Sequence, residues 1–345
     1  MPSNKPRVLI THWVHQPVIE FLEQHCEVVA NQTRATWSRE QVLVEAQRSD
    51  AMMAFMPDTV NDSFLAQCPR LKVVAAALKG PDNFDINACT RRGVWFTLVP
   101  DLLTIPTAEL AIALLLGITR RVLEGDIHVR SGEFRGWRPE LYGTGMTGRT
   151  AGLIGMGAVG RAIAVRLGAF GVNVLYADPQ AVKLPPGVVA EHADFETVVA
   201  QSDFLLPLTH LNRDTFHMIG TRALAMMKRG SYLINVGRGS LVDEAAVAAF
   251  LAAGHLAGYA ADVFELEDWA LESRPRVVHP QLLSDRARTL FTPHIGSAVN
   301  DVRQAIAMEA AMNIVDALEG RRPRGAMNNI DGFVAQQRGA ATAAA

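Results

Sequence analysis

Apolar residues along this chain fall into short runs separated by amphipathic stretches, the pattern that parallel α/β units produce. Runs at residues 7–11, 50–56, 71–78 and 93–98 read as buried strands, the second closed by Pro57 and the third by Lys79 and Gly80. Between them, positions such as Val18, Ile19, Phe21 and Leu22 suit one face of a helix. A different segment opens at Asp101. Pro106 fits the first turn of a helix, where its missing N–H costs nothing, and residues 108–118 are apolar nearly all round. Such a helix is expected to be buried on more than one side. The run 131–148 reads as a loop. Strands then recur at 151–155, 173–177, 203–206, 231–236, 258–263 and 289–291. After Ser297, helical spacing returns at Val302, Ala305, Ile306, Met308, Met312 and Val315. If that helix rejoins the first unit, residues 1–100 and 297–345 form one discontinuous domain and residues 101–296 the other. The tail beyond Val334 reads as unstructured.

Length and charge narrow the function classes. At about 150 residues per domain, 345 residues fit two domains. Apolar residues make up 49% and charged residues 20%, and 33 Lys and Arg against 35 Asp and Glu leave a net charge of −2. That balance gives no electrostatic case for nucleic acid or for an anionic membrane surface. The longest strongly apolar stretch, residues 110–118, is far shorter than the roughly 20 residues a membrane span needs. Cys26, Cys68 and Cys89 are too widely spaced for a disulfide framework or a zinc site, and a reduced, cytoplasmic protein is expected.

The strongest local signal is Gly155-Met156-Gly157-Ala158-Val159-Gly160, preceded by an apolar strand and followed by a helical pattern. In that setting the first glycine permits a tight turn, the second lets a pyrophosphate approach the backbone, and the third allows close helix–strand packing. Asp178 ends the next strand 23 residues after Gly155, where an acid can bind the adenosine ribose and repel a 2′-phosphate. NAD is therefore expected over NADP. A second constellation is Arg238, Glu267 and His294, each beyond the carboxyl end of a strand. Arg offers a planar fork for an oxyanion, and a His paired with a carboxylate suits proton transfer. Lys79 and Gly80 could present an ammonium and a backbone N–H to an anion. His12 and His15 lack an evident third ligand, so no metal is expected.

These motifs resemble the D-isomer-specific 2-hydroxyacid dehydrogenase superfamily. The likeness rests on the glycine fingerprint, on Asn235-Val236-Gly237-Arg238-Gly239-Ser240, on Ala261-Asp262-Val263-Phe264-Glu265 and on Thr292-Pro293-His294-Ile295-Gly296. Within the superfamily, the segments 52–57, 77–80, 131–137, 142–145 and 267–269 are similar to the branch that oxidises phosphite. The resemblance implies an α/β fold of two Rossmann-like lobes with parallel sheets, a flavodoxin-like substrate lobe and a dinucleotide-binding lobe, with a cleft between them. It implies a homodimer formed largely by the nucleotide-binding lobes. Arg238, Glu267 and His294 become the catalytic group. The family's acid lies 29 residues past its arginine, which selects Glu267 over Glu265. Lys79, Gly80, Met56, Trp137, Tyr142 and Ser297 become the substrate contacts. Cofactor contacts fall on Thr107, Asp178, Pro179, Thr209, His210, Val236 and Asp262 besides the fingerprint residues Gly155, Gly157, Ala158, Val159 and Gly160. The implied activity is NAD-dependent oxidation of phosphite to phosphate. The alternatives are a D-2-hydroxyacid dehydrogenase working as a 2-keto acid reductase and, remotely, an NAD(H)-sensing corepressor-like binding protein.

Overall fold

The computed structural model describes residues 5–331 and 333, so the tail beyond Val334 lies outside the described residues. The chain divides into two compact units, Met1–Leu103 with Ala298–Ala345, and Thr104–Ser297.

In the first unit, β1 (Arg7–Ile10), β2 (Glu27–Ala30), β3 (Ala51–Ala54), β4 (Val73–Ala76) and β5 (Trp95–Thr97) form a parallel sheet in the order β2-β1-β3-β4-β5. Every residue of β3 and β4 is buried, so these central strands appear in the sequence as unbroken apolar runs. Met52 and Met53 point to opposite faces and enter separate cores. The helix Asn300–Leu318 packs Ile306, Ala307, Ala310 and Ile314 into the same core as Ile10, Met53 and Ala75. Its alanines allow the helix to approach the sheet closely. The edge strand β2 is not marked by the apolar pattern of the sequence. It is four residues long, begins with a charge and has no fully buried position.

The second unit holds β6 (Thr150–Ile154), β7 (Asn173–Ala177), β8 (Glu191–His192), β9 (Phe204–Pro207), β10 (Ser231–Asn235), β11 (Leu256–Ala261) and β12 (Thr289–Phe291). They pair in parallel in the order β12-β11-β10-β9-β6-β7-β8. The helix Thr104–Thr119 packs on β10, β11 and β12 and on the helix Ala158–Ala169, which explains why it is apolar on more than one side. Gly258 on β11 makes this contact possible, because a Cβ there would stand 2.8 Å from Ile118. The helix Val122–Arg130, by contrast, buries none of its residues, and no amphipathic period marks it in the sequence. Among the described residues, no helix is long and apolar enough to cross a membrane.

Both sheets are parallel, so within each unit the turns leaving the strands gather along one edge, where α/β proteins bind ligands.

Candidate active site

The turn after β6 is built by what its glycines lack. Gly155 adopts φ +109°, a conformation closed to most side chains, and its backbone lies against Leu208 and Thr209 beyond β9. A Cβ on Gly160 would collide with the Gly155 carbonyl oxygen, so the helix Ala158–Ala169 can start this close to the strand only with glycine there. Gly157 differs from both. It caps that helix with no side-chain hydrogen bond, and a Cβ on it would meet nothing within 4 Å. The exposed space over Gly157, beside the helix's first N–H groups, fits a dinucleotide pyrophosphate. Asp178 follows β7, and its Oδ2 accepts a hydrogen bond from the Met156 N–H at 2.9 Å. The acid is thereby fixed beside the glycine turn, with Pro179 exposed next to it.

At the other side of this sheet the turns after β10, β11 and β12 carry Arg238, Glu267 and His294 on three neighbouring strands. His294 Nδ1 lies 2.7 Å from Glu267 Oε2, and the other Glu267 oxygen accepts the Phe264 N–H at 2.8 Å. The Glu267 carboxylate accepts the Nδ1–H hydrogen bond, so Nε2 is the ring nitrogen not engaged with it. His294 itself is held at φ +54°, a conformation costly for a non-glycine residue. The restraint is Asp262. One of its oxygens accepts the Thr292 hydroxyl at 2.6 Å and the Ile295 N–H at 2.8 Å, and the other accepts the Gly296 N–H at 2.8 Å. Burial pushes the Asp262 carboxyl above the usual carboxylate range, against the pull of those hydrogen bonds. Thr107 packs beside Gly296, which joins the long helix to the same turn.

The Arg238 turn has its own internal frame. Buried Asn235 donates from Nδ2 to the Arg238 carbonyl at 2.9 Å and accepts the Gly237 N–H at 3.1 Å. Arg238 follows in extended backbone and is half-buried, with Val236 behind it in the core.

The remaining expected site residues separate by unit. Met56 follows β3 and Lys79 and Gly80 follow β4, adjacent strands of the first sheet. Asn83 donates to the Met56 carbonyl at 2.7 Å and thereby fixes that turn. Trp137 and Tyr142 belong to the second unit and are 82% and 73% exposed. Ser297 closes the second unit, and Thr209 and His210 lie beyond β9, where the His210 carbonyl accepts the Thr215 hydroxyl at 2.7 Å. The supporting roles of Asn235 and Asp262 were not visible in sequence. The one available signal was a polar residue ending an otherwise apolar strand.

Comparison with known proteins gives the chain its setting. The family model described as D-isomer specific 2-hydroxyacid dehydrogenase, NAD binding domain, matches residues 112–296. A glyoxylate reductase of Thermococcus litoralis is 35% identical over 330 residues, covering 94% of this chain and 97% of that one. Among solved structures, a protein of Thermus thermophilus superposes with a TM-score of 0.85 at 33% identity, over 93% of this chain and all of the other. A glyoxylate reductase from Paecilomyes thermophila gives 0.80 at 26% identity, over 94% of this chain and 99% of that one. These relatives overturn the expectation of phosphite oxidation. The physical reason is that an Arg fork beside a His–carboxylate pair serves any small oxyanion, so the shared motifs do not select phosphorus.

Proposed function

The chain belongs to the D-isomer-specific 2-hydroxyacid dehydrogenase family, and from that premise we propose that it reduces a small 2-oxo acid, glyoxylate foremost, to the 2-hydroxy acid. The observation that carries this reading is the 2.7 Å contact between His294 Nδ1 and Glu267, on strand ends next to the Arg238 turn. A bound reduced nicotinamide supplies the hydride. Arg238 grips the substrate carboxylate through its planar fork, which orients the neighbouring carbonyl. His294, protonated on both ring nitrogens, gives its Nε2 proton to the oxygen that gains negative charge as hydride reaches the carbonyl carbon. Glu267 keeps the Nδ1 proton in place throughout and fixes the ring's orientation. In the reverse direction the same His294 Nε2 removes the hydroxyl proton.

The glycine turn and the first N–H groups of the helix Ala158–Ala169 would hold the cofactor's pyrophosphate, and Asp178 would take the ribose hydroxyls and favour NAD(H). The resemblance adds Lys79 and Gly80 as anion contacts, with Met56 and Ser297 as further substrate contacts. A homodimer accords with the apolar residues left exposed around the helix Val122–Arg130, namely Val122, Leu123, Ile127, Val129 and Phe134. Light scattering at micromolar concentration is expected to give twice the chain mass.

The deciding experiment is a paired steady-state assay, NADH consumption with glyoxylate or pyruvate against NAD reduction with phosphite. Brisk glyoxylate-dependent NADH loss, abolished in His294→Asn, supports the reading. NADH formation from phosphite with no 2-oxo acid turnover overturns it.

A further inference from the structure

The turns carrying Arg238 and Glu267 touch directly. A Cβ on Gly239 would run into the Phe264 and Glu265 backbone, so the turn Gly239–Leu241 lies flat on the turn Glu265–Glu267. One side chain fastens the two. Asp268, next to Glu267 in sequence and 7% exposed, accepts the Ser240 N–H on Oδ2 at 2.6 Å. Its own N–H donates to the Glu265 carbonyl at 3.3 Å, and its carbonyl accepts the Leu271 N–H at 2.8 Å. The carboxylate is thus anchored on the Glu267 side and reaches across to the Arg238 side. Burial pushes the Asp268 carboxyl up, against the hydrogen bonding from Ser240 and, after it, the positive charge of Arg238.

We propose that Asp268 is a positioning residue, setting the Arg238 fork relative to the Glu267–His294 pair by holding the Ser240 N–H. This rests on the reading of Arg238 as the carboxylate clamp. A clamp two residues from a fastened N–H moves when the fastening goes, and displacement on the order of 1 Å costs about 100-fold in a positioned reaction. A side chain that only stabilised the fold would lower the melting temperature and leave the aligned anion site of the folded molecules intact.

The test is binding of oxamate, an unreactive 2-oxo acid analogue, to the NADH complex by fluorescence titration, with NADH affinity and melting temperature recorded for each variant. Asp268→Ala is expected to weaken oxamate at least tenfold while NADH affinity stays within twofold. Asp268→Asn, which keeps an acceptor for the Ser240 N–H, is expected to recover most of that loss. Arg238→Lys alone is expected to weaken oxamate tenfold or more, and adding Asp268→Ala to it should cost less than a further threefold, because the two act through one contact. If Asp268→Ala does not fold, Asp268→Ser, whose side chain is too short to hold the Ser240 N–H, carries the same expectation. Unchanged oxamate affinity in Asp268→Ala or Asp268→Ser, or full additivity with Arg238→Lys, overturns the proposal alone. Unchanged affinity in Arg238→Lys removes the clamp reading, and the proposal falls with it.

Discussion

At β6 the second unit makes its site by leaving atoms out, and at β10 to β12 it makes its site by putting buried carboxylates in. Around the glycine turn the geometry follows from missing side chains: Gly155 for its φ, Gly160 for the contact with Gly155, Gly157 for open space. Around Arg238 and His294 the backbone is instead pulled into place by Asp262, Asp268 and Asn235, each accepting N–H groups of a turn that carries a reactive side chain. On the proposed reading the first arrangement would hold a pyrophosphate, which asks for backbone N–H groups. The second must aim side chains, and backbone N–H groups bound to fixed acceptors are how those side chains are aimed.

The largest effect should come from removing an acceptor. Asp262→Ala strands three donors and releases His294 from its φ of +54°, so kcat/KM for the 2-oxo acid is expected to fall about 10³-fold, the scale of lost acid–base catalysis. Activity within tenfold of the parent would end the idea that buried acceptors aim this half of the site.

On the glycine side the contrast sharpens within one turn. Gly157→Ala enters open space at an ordinary φ of −69°, so the melting temperature should hold while the NADH dissociation constant rises about tenfold. Gly160→Ala should lower both stability and NADH affinity, since its Cβ meets protein. Equal thermal losses in the two variants would mean that the space at Gly157 is not kept for a ligand. Asp178→Ala comes next in size. It should improve NADP use relative to NAD several-fold, measured as the ratio of kcat/KM values, by removing a negative charge held beside the turn.

These two regions also differ in how much of each the amino-acid sequence discloses. The glycine turn was legible because each glycine answers to a steric rule with a fixed spacing, and strands such as β3 and β4 were legible because burial on both faces leaves an unbroken apolar run. The proposed catalytic residues Arg238, Glu267 and His294 stand out in sequence as residue types beyond strand ends. Their supports do not, because an Asp that accepts a backbone N–H looks in sequence like any surface Asp. Asp268 beside Glu267 acquires meaning only once the turns are folded together, and Asp262, expected among the cofactor contacts, shows its hold on the His294 turn only there. The helix Val122–Arg130 is hidden for a related reason, since a helix with no buried face leaves no period to detect. Substrate identity was the least legible of all, and the segments around Trp137 and Tyr142 that suggested phosphite are solvent-facing in the unit that carries them.

The smallest predicted effect concerns pH and belongs wholly to the carboxylate-built side. His217 donates to Glu265 across 2.9 Å, and that hydrogen bond raises the His217 pKa above its ordinary 6.5. A raised histidine pKa stabilises the fold below the unfolded value and loses that contribution as pH climbs through the folded value. His217→Asn suits the site because asparagine tolerates the φ of +50° found there. The parent should melt higher than this variant at pH 6, and the gap should narrow by pH 8.5. A gap independent of pH would place the His217–Glu265 contact outside the energetics of this half.

If the chain is a 2-oxo acid reductase, hydride passes from the reduced nicotinamide to the carbonyl carbon, with His294 as the proton donor. A single-turnover reaction of enzyme, glyoxylate and NADH deuterated at the transferring C4 position tests it most directly. Glycolate carrying one deuterium at C2 is expected, as is loss of that product in His294→Asn. Glycolate free of deuterium, or no glycolate at all from an enzyme that reduces NAD when given phosphite, would contradict it.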